Sequence, residues 1–568
     1  MAFRAPVKDQ TFIFDHIVGF EGLSATQPYA DATRDVAQQI LDEAAKLAGD
    51  VLAPLNRSGD LTPAKLENGV VRTSPGFAEG YRAIAEGGWV GMSAAPEFGG
   101  MGLPITLATA VNEMFSGACL SLHLNPLLTQ GQIEALEHHA TDELKRLYLP
   151  KLTSGEWNGT MNLTEPGAGS DVGALVTKAV DNGDGTFAIS GQKIFITWGD
   201  GDFLPNVCHL VLARLPDGGP GVKGISLFLV PKLLLDENGE PGQRNGVRVV
   251  SLEHKMGLHG SPTCVMEYDN ATGWLIGERH GGIKAMFTMM NNARLGVATQ
   301  GVGVAEAACQ QALAYALDRK QGKTPVPGRG TIIDHADVRR MLAGMKAQTF
   351  AARCIVLDCA LALDMAKATG EPEWEARGGV LTPIAKAFAT DTGNEVTQTS
   401  IQIHGGMGFI EETGAAQLAR DVRVCAIYEG TNGIQAADLV GRKMMDGGEA
   451  INRLIDEVQS GAEAAKPDHP QLAEEVWSAA ESLREVTDWL VAQPVNDRFA
   501  GSVPYLRAFA LVLGGSYHLR AACSDPAERA ALATFFIRRM LPDHVSLLRQ
   551  AHEGAAGLYA VTAEELAV

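Results

Sequence analysis

The chain has 568 residues, 46% hydrophobic and 20% charged, which is enough to bury several packed units and too apolar for wholesale disorder. Its 47 Lys and Arg against 67 Asp and Glu leave a net charge of -20, a balance that repels nucleic acid and anionic lipid where no basic patch intervenes, and none is visible. Eight cysteines without CxxC spacing lie in apolar segments, which argues against a disulfide framework or a thiolate metal site and points to a cytoplasmic setting. The first ten residues hold Arg4 and Lys8 but no apolar h-region, and no run approaches about 18 uninterrupted apolar residues, so neither an export signal nor a membrane span is expected.

Apolar residues recur at spacings of three and four over 32–52, 105–115 and 144–152, so an all-helical domain with an N-terminal extension is predicted over 1–157. The Gly-rich piece 98–104 punctuates it as a turn. After Trp157 the pattern changes to short β-like runs at 186–189, 193–197, 207–214, 224–230, 247–252 and 263–268, with a hairpin turn at 181–185, which predicts a β domain over 158–277. Long Ala-rich amphipathic segments at 286–318, 333–368, 383–403 and 414–423 predict a second helical domain over 278–445. A further helical domain follows over 446–568, without a chemical motif; packing against the first half, or at a subunit interface, is its expected use.

Some local patterns fail their physical requirements. Gly301-Val302-Gly303-Val304-Ala305-Glu306 begins like a dinucleotide fingerprint, but it lacks a third glycine and sits inside a helical run instead of after a strand. Its small residues are expected to let helices approach closely. Glu134, His138 and Asp142 share a helix face, yet the adjacent His138 and His139 point to different faces, so no i, i+4 histidine pair forms and no metal is expected. No GxSxG elbow and no thiol-nucleophile signature occurs, which leaves hydrolase chemistry without support.

Four separated segments carry a different chemistry. Asn162-Leu163-Thr164-Glu165-Pro166-Gly167-Ala168-Gly169-Ser170-Asp171 places glycines and hydroxyls at the entry to the β domain, a loop able to approach a flat ring or a phosphate. GQKIFITWG at 191–199 sets an aromatic and a hydroxyl on alternate positions of one strand. QIHGGMGF at 402–409 and IYEGTNGIQ at 427–435 follow downstream. Taken singly, the first is an ordinary turn, and Glu429 is a helix-end glutamate capped by Gly430.

Together, in this order and at this spacing, the four segments resemble the acyl-CoA dehydrogenase family across nearly the whole chain. The length, the extra C-terminal helical domain and the phrase Met289-Met290-Asn291-Asn292-Ala293-Arg294-Leu295 are similar to the large members. Those include broad-range long-chain enzymes and bacterial 3-(methylthio)propanoyl-CoA dehydrogenases. The resemblance implies a mainly α fold with a central β-barrel-like domain, a helical domain before it, a four-helix bundle after it and additional helices at the C-terminus.

It also implies function. FAD is the expected cofactor, an acyl-CoA the substrate, and α,β-dehydrogenation to the trans-2-enoyl-CoA the reaction, with 3-(methylthio)propanoyl or fatty acyl groups as the acyl class. By motif matching, Met161, Leu163 and Thr164 flank the flavin ring, Gly169 and Ser170 contact FAD or the CoA phosphate arm, and Phe195, Ile196 and Thr197 cover the opposite face. Arg319 matches the arginine that reaches a neighbouring subunit's FAD pyrophosphate, and Gln402, Gly405 and Gly406 match the loop receiving that FAD, so a homodimer is expected. Thr431 and Gln435 match further FAD contacts. Glu429 matches the base that removes the α-proton, its backbone N–H pairing with a ribityl hydroxyl as donors to the thioester carbonyl. Burial should raise its pKa toward neutrality.

In other members the base stands on an earlier helix; that position is Ala293, and 286–296 contains no acid. Asn291, Arg294 and Gly430, with Ser170, match substrate-binding residues. An electron-transferring flavoprotein is the expected acceptor. Two rivals stand beside this reading: an acyl-CoA oxidase that passes electrons to oxygen, and a non-catalytic scaffold that has kept the fold.

Overall fold

The computed structural model describes residues 3–324 and 326–567. Amphipathic spacing builds the N-terminal region from the helices Arg34–Lys46, Ala53–Leu61, Phe77–Glu86, Ile105–His139 and Asp142–Thr153, with Thr33 and Thr141 capping the first and last through their hydroxyl oxygens. The expectation of an all-helical region needs one correction: Lys65–Glu67 and Val70–Arg72 pair as a hairpin around Asn68 and Gly69, both at positive φ. Asn-Gly is the dipeptide that such a tight turn favours, and strands this short have no periodicity to read. Ile105–His139 is two helices joined at Cys119, whose φ of -155° and ψ of 87° break the helical path. By length and composition this element is apolar enough to cross a membrane, but nearly all of its apolar stretch is buried inside the fold.

Seven strands form the central sheet. Ile225–Pro231 pairs with both Val207–Arg214 and Thr263–Ile276, while Phe187–Thr197 and Lys178–Asp181 complete the circuit, so five strands close into a barrel-like ring. The two runs read at 186–189 and 193–197 are one strand, Phe187–Thr197, and Thr263–Ile276 continues past residue 268. Asn158–Asn162 escapes sequence reading because nearly all of it is buried, which removes the alternation that marks a half-exposed strand.

Three long helices follow, Gly282–Asp318, Ala336–Thr369 and Pro372–His404. Gly301 and Gly303 serve close packing: a Cβ on Gly301 would lie 2.3 Å from the Ala389 carbonyl oxygen, and one on Gly303 2.4 Å from that of Glu113. The C-terminal helices pack inward, Val495–Ser524 against Asn432–Val440 and Ala336–Thr369, and Pro526–Arg539 against the latter. A buried ionic network ties these layers together. Arg353, 0% exposed, bonds Glu113 and Glu306 at 2.7 Å each and Asp9 at 3.3 Å, and Asp9 also receives Lys346 at 2.7 Å and Arg529 at 2.8 Å.

Candidate active site

Glu429 does not cap a helix end. It lies in the loop between the 3-10 turn Arg423–Ala426 and the helix Asn432–Val440, whose N-cap is Thr431. Both Glu429 (φ 56°) and Gly430 (φ 82°) are left-handed. For glycine this conformation is free; for glutamate it costs on the order of 1 kcal/mol, and it persists only where the surroundings over-determine it.

Four side chains do so. Lys386 Nζ donates to the Gly430 carbonyl and to Asn432 Oδ1, each at 2.9 Å. Gln435 Nε2 donates to the carbonyls of Glu429 at 3.2 Å and Gly430 at 3.4 Å. Asn432 Nδ2 in turn donates to Asp391 Oδ1 at 2.7 Å and Thr390 Oγ1 at 3.0 Å. On the N-terminal side, the Tyr428 hydroxyl donates to Gln300 Oε1 from the long helix Gly282–Asp318.

Glu429 is half-buried as a residue. Burial pushes its pKa up to about 7, against the opposing pull of Arg294 and Lys386. Arg294 is 6% exposed, its Nη1 lies 3.4 Å from Asp438, and its guanidinium stands over the Phe287 ring. Arg294 Nε and Gln435 Oε1 are buried without a hydrogen-bond partner among the described residues. Buried polar atoms left this way are expensive, and beside the half-buried Glu429 they are available to hydrogen-bond a bound molecule. Asn291 is exposed one turn before Arg294, and Ala293 is buried, so no second carboxylate enters from this helix.

On the β-domain side, Met161, Leu163 and Thr164 are half-buried, whereas Gly169 and Ser170 are exposed. A Cβ on Gly167 or Gly169 would meet nothing within 4 Å, so this backbone is open to close approach. A buried ion pair fixes the loop: Lys193 Nζ donates to Glu165 Oε1 at 2.8 Å and to the Leu163 carbonyl at 3.0 Å, and Glu165 accepts the backbone N–H groups of Val176 and Thr177. Phe195 is 58% exposed and left-handed at φ 61°. Thr197 is half-buried; Ile196 points into the β-domain core and pairs with Cys264, which leaves only its main chain toward any ligand.

The remaining residues form a second, distant group. Arg319 caps the end of Gly282–Asp318 and is exposed, 25 residues beyond Arg294, or roughly 37 Å at 1.5 Å per residue. Gln402, Gly405 and Gly406 are exposed at the end of Pro372–His404, 16 residues or about 24 Å beyond Lys386. The Tyr315 and His404 rings, 4.4 Å apart, bring these two helix ends together. Around them Leu313, Leu317, Met407, Phe409 and Ile410 are exposed, Phe409 by 86%. His138 and His139 belong to neither group: His138 Nδ1 bonds the Glu134 carbonyl and His139 Nε2 the Thr288 hydroxyl.

Sequence reasoning missed Lys193, Lys386, Gln300 and Asn432. Lysine in an Ala-rich helix reads as solvated surface. The available signal was its company, Leu381 to Ala389, where Lys386 is the only charged residue and, besides Thr382, the only polar one.

A helical domain, a barrel-like β domain and a helical bundle around one strained carboxylate define a class, and this chain belongs to the acyl-CoA dehydrogenase family. It matches the N-terminal domain of acyl-CoA dehydrogenase over 35–156, the middle domain over 160–271, the C-terminal domain over 280–445, and the acetyl-CoA dehydrogenase C-terminal-like domain over 454–562. It is 46% identical to the 3-methylmercaptopropionyl-CoA dehydrogenase of Ruegeria pomeroyi over 89% of this chain and 88% of that one. It is 34% identical to the broad-specificity linear acyl-CoA dehydrogenase FadE5 of Mycobacterium tuberculosis, over 95% and 96% respectively. Its fold is similar to that of Caenorhabditis elegans ACDH-11, solved in complex with C11-CoA, with a TM-score of 0.79 at 20% identity, covering 94% of this chain and 91% of the other.

Proposed function

We propose that the protein oxidises an acyl-CoA thioester to its trans-2-enoyl-CoA with FAD, and that Glu429 is the base. The observation that carries this is a strained carboxylate raised to about 7, so that it exists in both protonation states near neutrality, as a general base must. FAD, when bound, supplies the hydride acceptor. The residues fit it: the open backbone at Gly167 and Gly169, the exposed ring of Phe195, the half-buried Met161, Leu163, Thr164 and Thr197, and the unpaired Gln435 Oε1 beside Thr431. Glu429 takes the α-proton on its carboxylate, and its own N–H, with the left-handed turn holding it, donates to the thioester oxygen. Arg294, Asn291, Gly430 and Ser170 are assigned to the substrate.

The group at Arg319, Gln402, Gly405 and Gly406 serves the FAD of a second copy in a homodimer. Its distance from this chain's own Glu429 and its ring of exposed apolar side chains support that assignment. Electrons leave through an electron-transferring flavoprotein. The 46% identity to the R. pomeroyi relative favours 3-(methylthio)propanoyl-CoA as substrate, with linear acyl-CoAs as the competing class.

Glu429→Gln should remove dehydrogenation while the purified protein stays yellow; near-normal turnover would end the proposal. A screen of acyl-CoAs from short to long chain, with the methylthio compound included and a dye or flavoprotein acceptor, identifies the substrate. Rapid reoxidation of the reduced flavin by oxygen would replace the dehydrogenase with an oxidase.

A further inference from the structure

We propose that Lys386 is the positioning residue of the base. Its ammonium, buried beneath the loop, holds the Gly430 carbonyl and the Asn432 side chain, and so keeps the Glu429 carboxylate in its working orientation and charge state. This rests on Glu429 being the base.

Burying an ammonium is costly, and lysines at 0% exposure are normally ion-paired. Lys193 obeys that rule through Glu165. Lys386 does not: its bonds go to a carbonyl and an amide oxygen, and among the described residues no carboxylate lies within ion-pair distance. Two consequences follow from this arrangement.

The first is mechanical. The Gly430 carbonyl is fixed at 2.9 Å by Lys386, whereas the Gln435 contact to the same atom is 3.4 Å long, so the lysine is the stronger restraint on a turn that glutamate does not favour. Asn432 extends the restraint into the helix Pro372–His404 through Thr390 and Asp391. The second is electrostatic. The charged groups around Glu429 are Arg294 from Gly282–Asp318 and Lys386 from Pro372–His404, with Tyr428 and Cys425 on its own loop and Asp391 behind Asn432. Arg294 is shared with Asp438, which Arg442 also binds. Lys386 is the cation whose field is not already neutralised by an ion pair, and it acts across one peptide unit, without itself being hydrogen-bonded to the carboxylate.

The test uses the full-length, FAD-loaded protein. In Lys386→Met, the rate of flavin reduction by acyl-CoA should fall about 100-fold with KM little changed. The midpoint of its pH dependence should move up by about one unit, because a supporting cation is gone. Amide exchange at 428–432 should accelerate, a readout independent of turnover. Asn432→Ala, which leaves the cation in place but removes its second acceptor, should raise amide exchange and lower the rate without moving the midpoint. A lower melting temperature with an unmoved midpoint, rate and exchange in Lys386→Met would overturn the assignment. If that variant does not fold, wild-type rate and exchange in Asn432→Ala would do so. Glu429→Gln is run in parallel: full activity there sinks the base itself, and is distinguishable from failure at Lys386.

Discussion

Arg353 and Glu429 are both charged groups taken into the protein, yet their surroundings are built on opposite plans. Around Arg353, three carboxylates, Lys346 and Arg529 are ion-paired with one another from four helices and the N-terminal segment, while Arg529 Nε has no hydrogen-bond partner among the described residues. Around Glu429 the backbone is strained, the nearest cations stand off without an ion pair to its carboxylate among the described residues, and there Arg294 Nε and Gln435 Oε1 also lack a hydrogen-bond partner. The ion-paired cluster fixes where helices meet. The carboxylate without an ion pair keeps bonding capacity for something else, which is the physical difference between a structural and a functional buried charge.

The most severe way to test this contrast is Arg353→Met. It leaves Glu113, Glu306 and Asp9 without their shared cation and should lower stability by about 3–5 kcal/mol in denaturant melts. Turnover per folded, FAD-containing molecule should stay close to wild type; a selective loss of catalysis with intact stability would erase the distinction.

Asp9→Asn is milder, about 1–3 kcal/mol, and carries a pH signature. Burial alone would raise the Asp9 carboxyl, but Lys346, Arg353 and Arg529 outweigh it and hold it well below its ordinary 3.8. A depressed carboxylate stabilises the fold above 3.8 and loses that contribution as pH falls, so wild type and Asp9→Asn should converge in stability under acid. Glu429 has the opposite sign: raised from 4.5 to about 7, it favours the fold at acid pH, and that contribution is lost as pH rises toward 7. Removing Glu429 should therefore help stability at pH 8 and not at pH 4, which paired melts of Glu429→Gln would show.

The same raised value sets the rate. Flavin reduction by acyl-CoA should climb with pH to a plateau above about 7 and stand about tenfold below it at pH 6; a flat profile from pH 5 to 9 would contradict a base of this kind. The smallest expected effect is at Tyr428→Phe, which removes the bond to Gln300 and should cost roughly 0.5–1.5 kcal/mol, read as a few-fold lower rate or a slightly lower melting temperature.

Much of this was legible in the residues. Helical spacing located the long helices, and the Asp181-to-Gly185 turn located a hairpin that the structure closes between Lys178–Asp181 and Phe187–Thr197. The packing role of Gly301 and Gly303 followed from their place inside a helical run. Less accessible were Asn158–Asn162, buried without alternation, and the short hairpin at Asn68-Gly69, whose dipeptide was its only signal. At the site, the segment order singled out Glu429 but said nothing of Lys386, because a lysine's burial depends on helices more than 40 residues away along the chain.

The sequence by itself determined the order of helical and β units, the family they resemble, and Glu429 as the acid that Ala293 does not duplicate, since these depend on residue type and local spacing. Only the tertiary structure decided that Glu429 is left-handed and raised to about 7, that Lys386 stands beneath it, and that Arg319 and Gln402–Gly406 lie far from it. Strain, desolvation and distance are properties of atoms brought together from remote parts of the chain, and no local pattern encodes them.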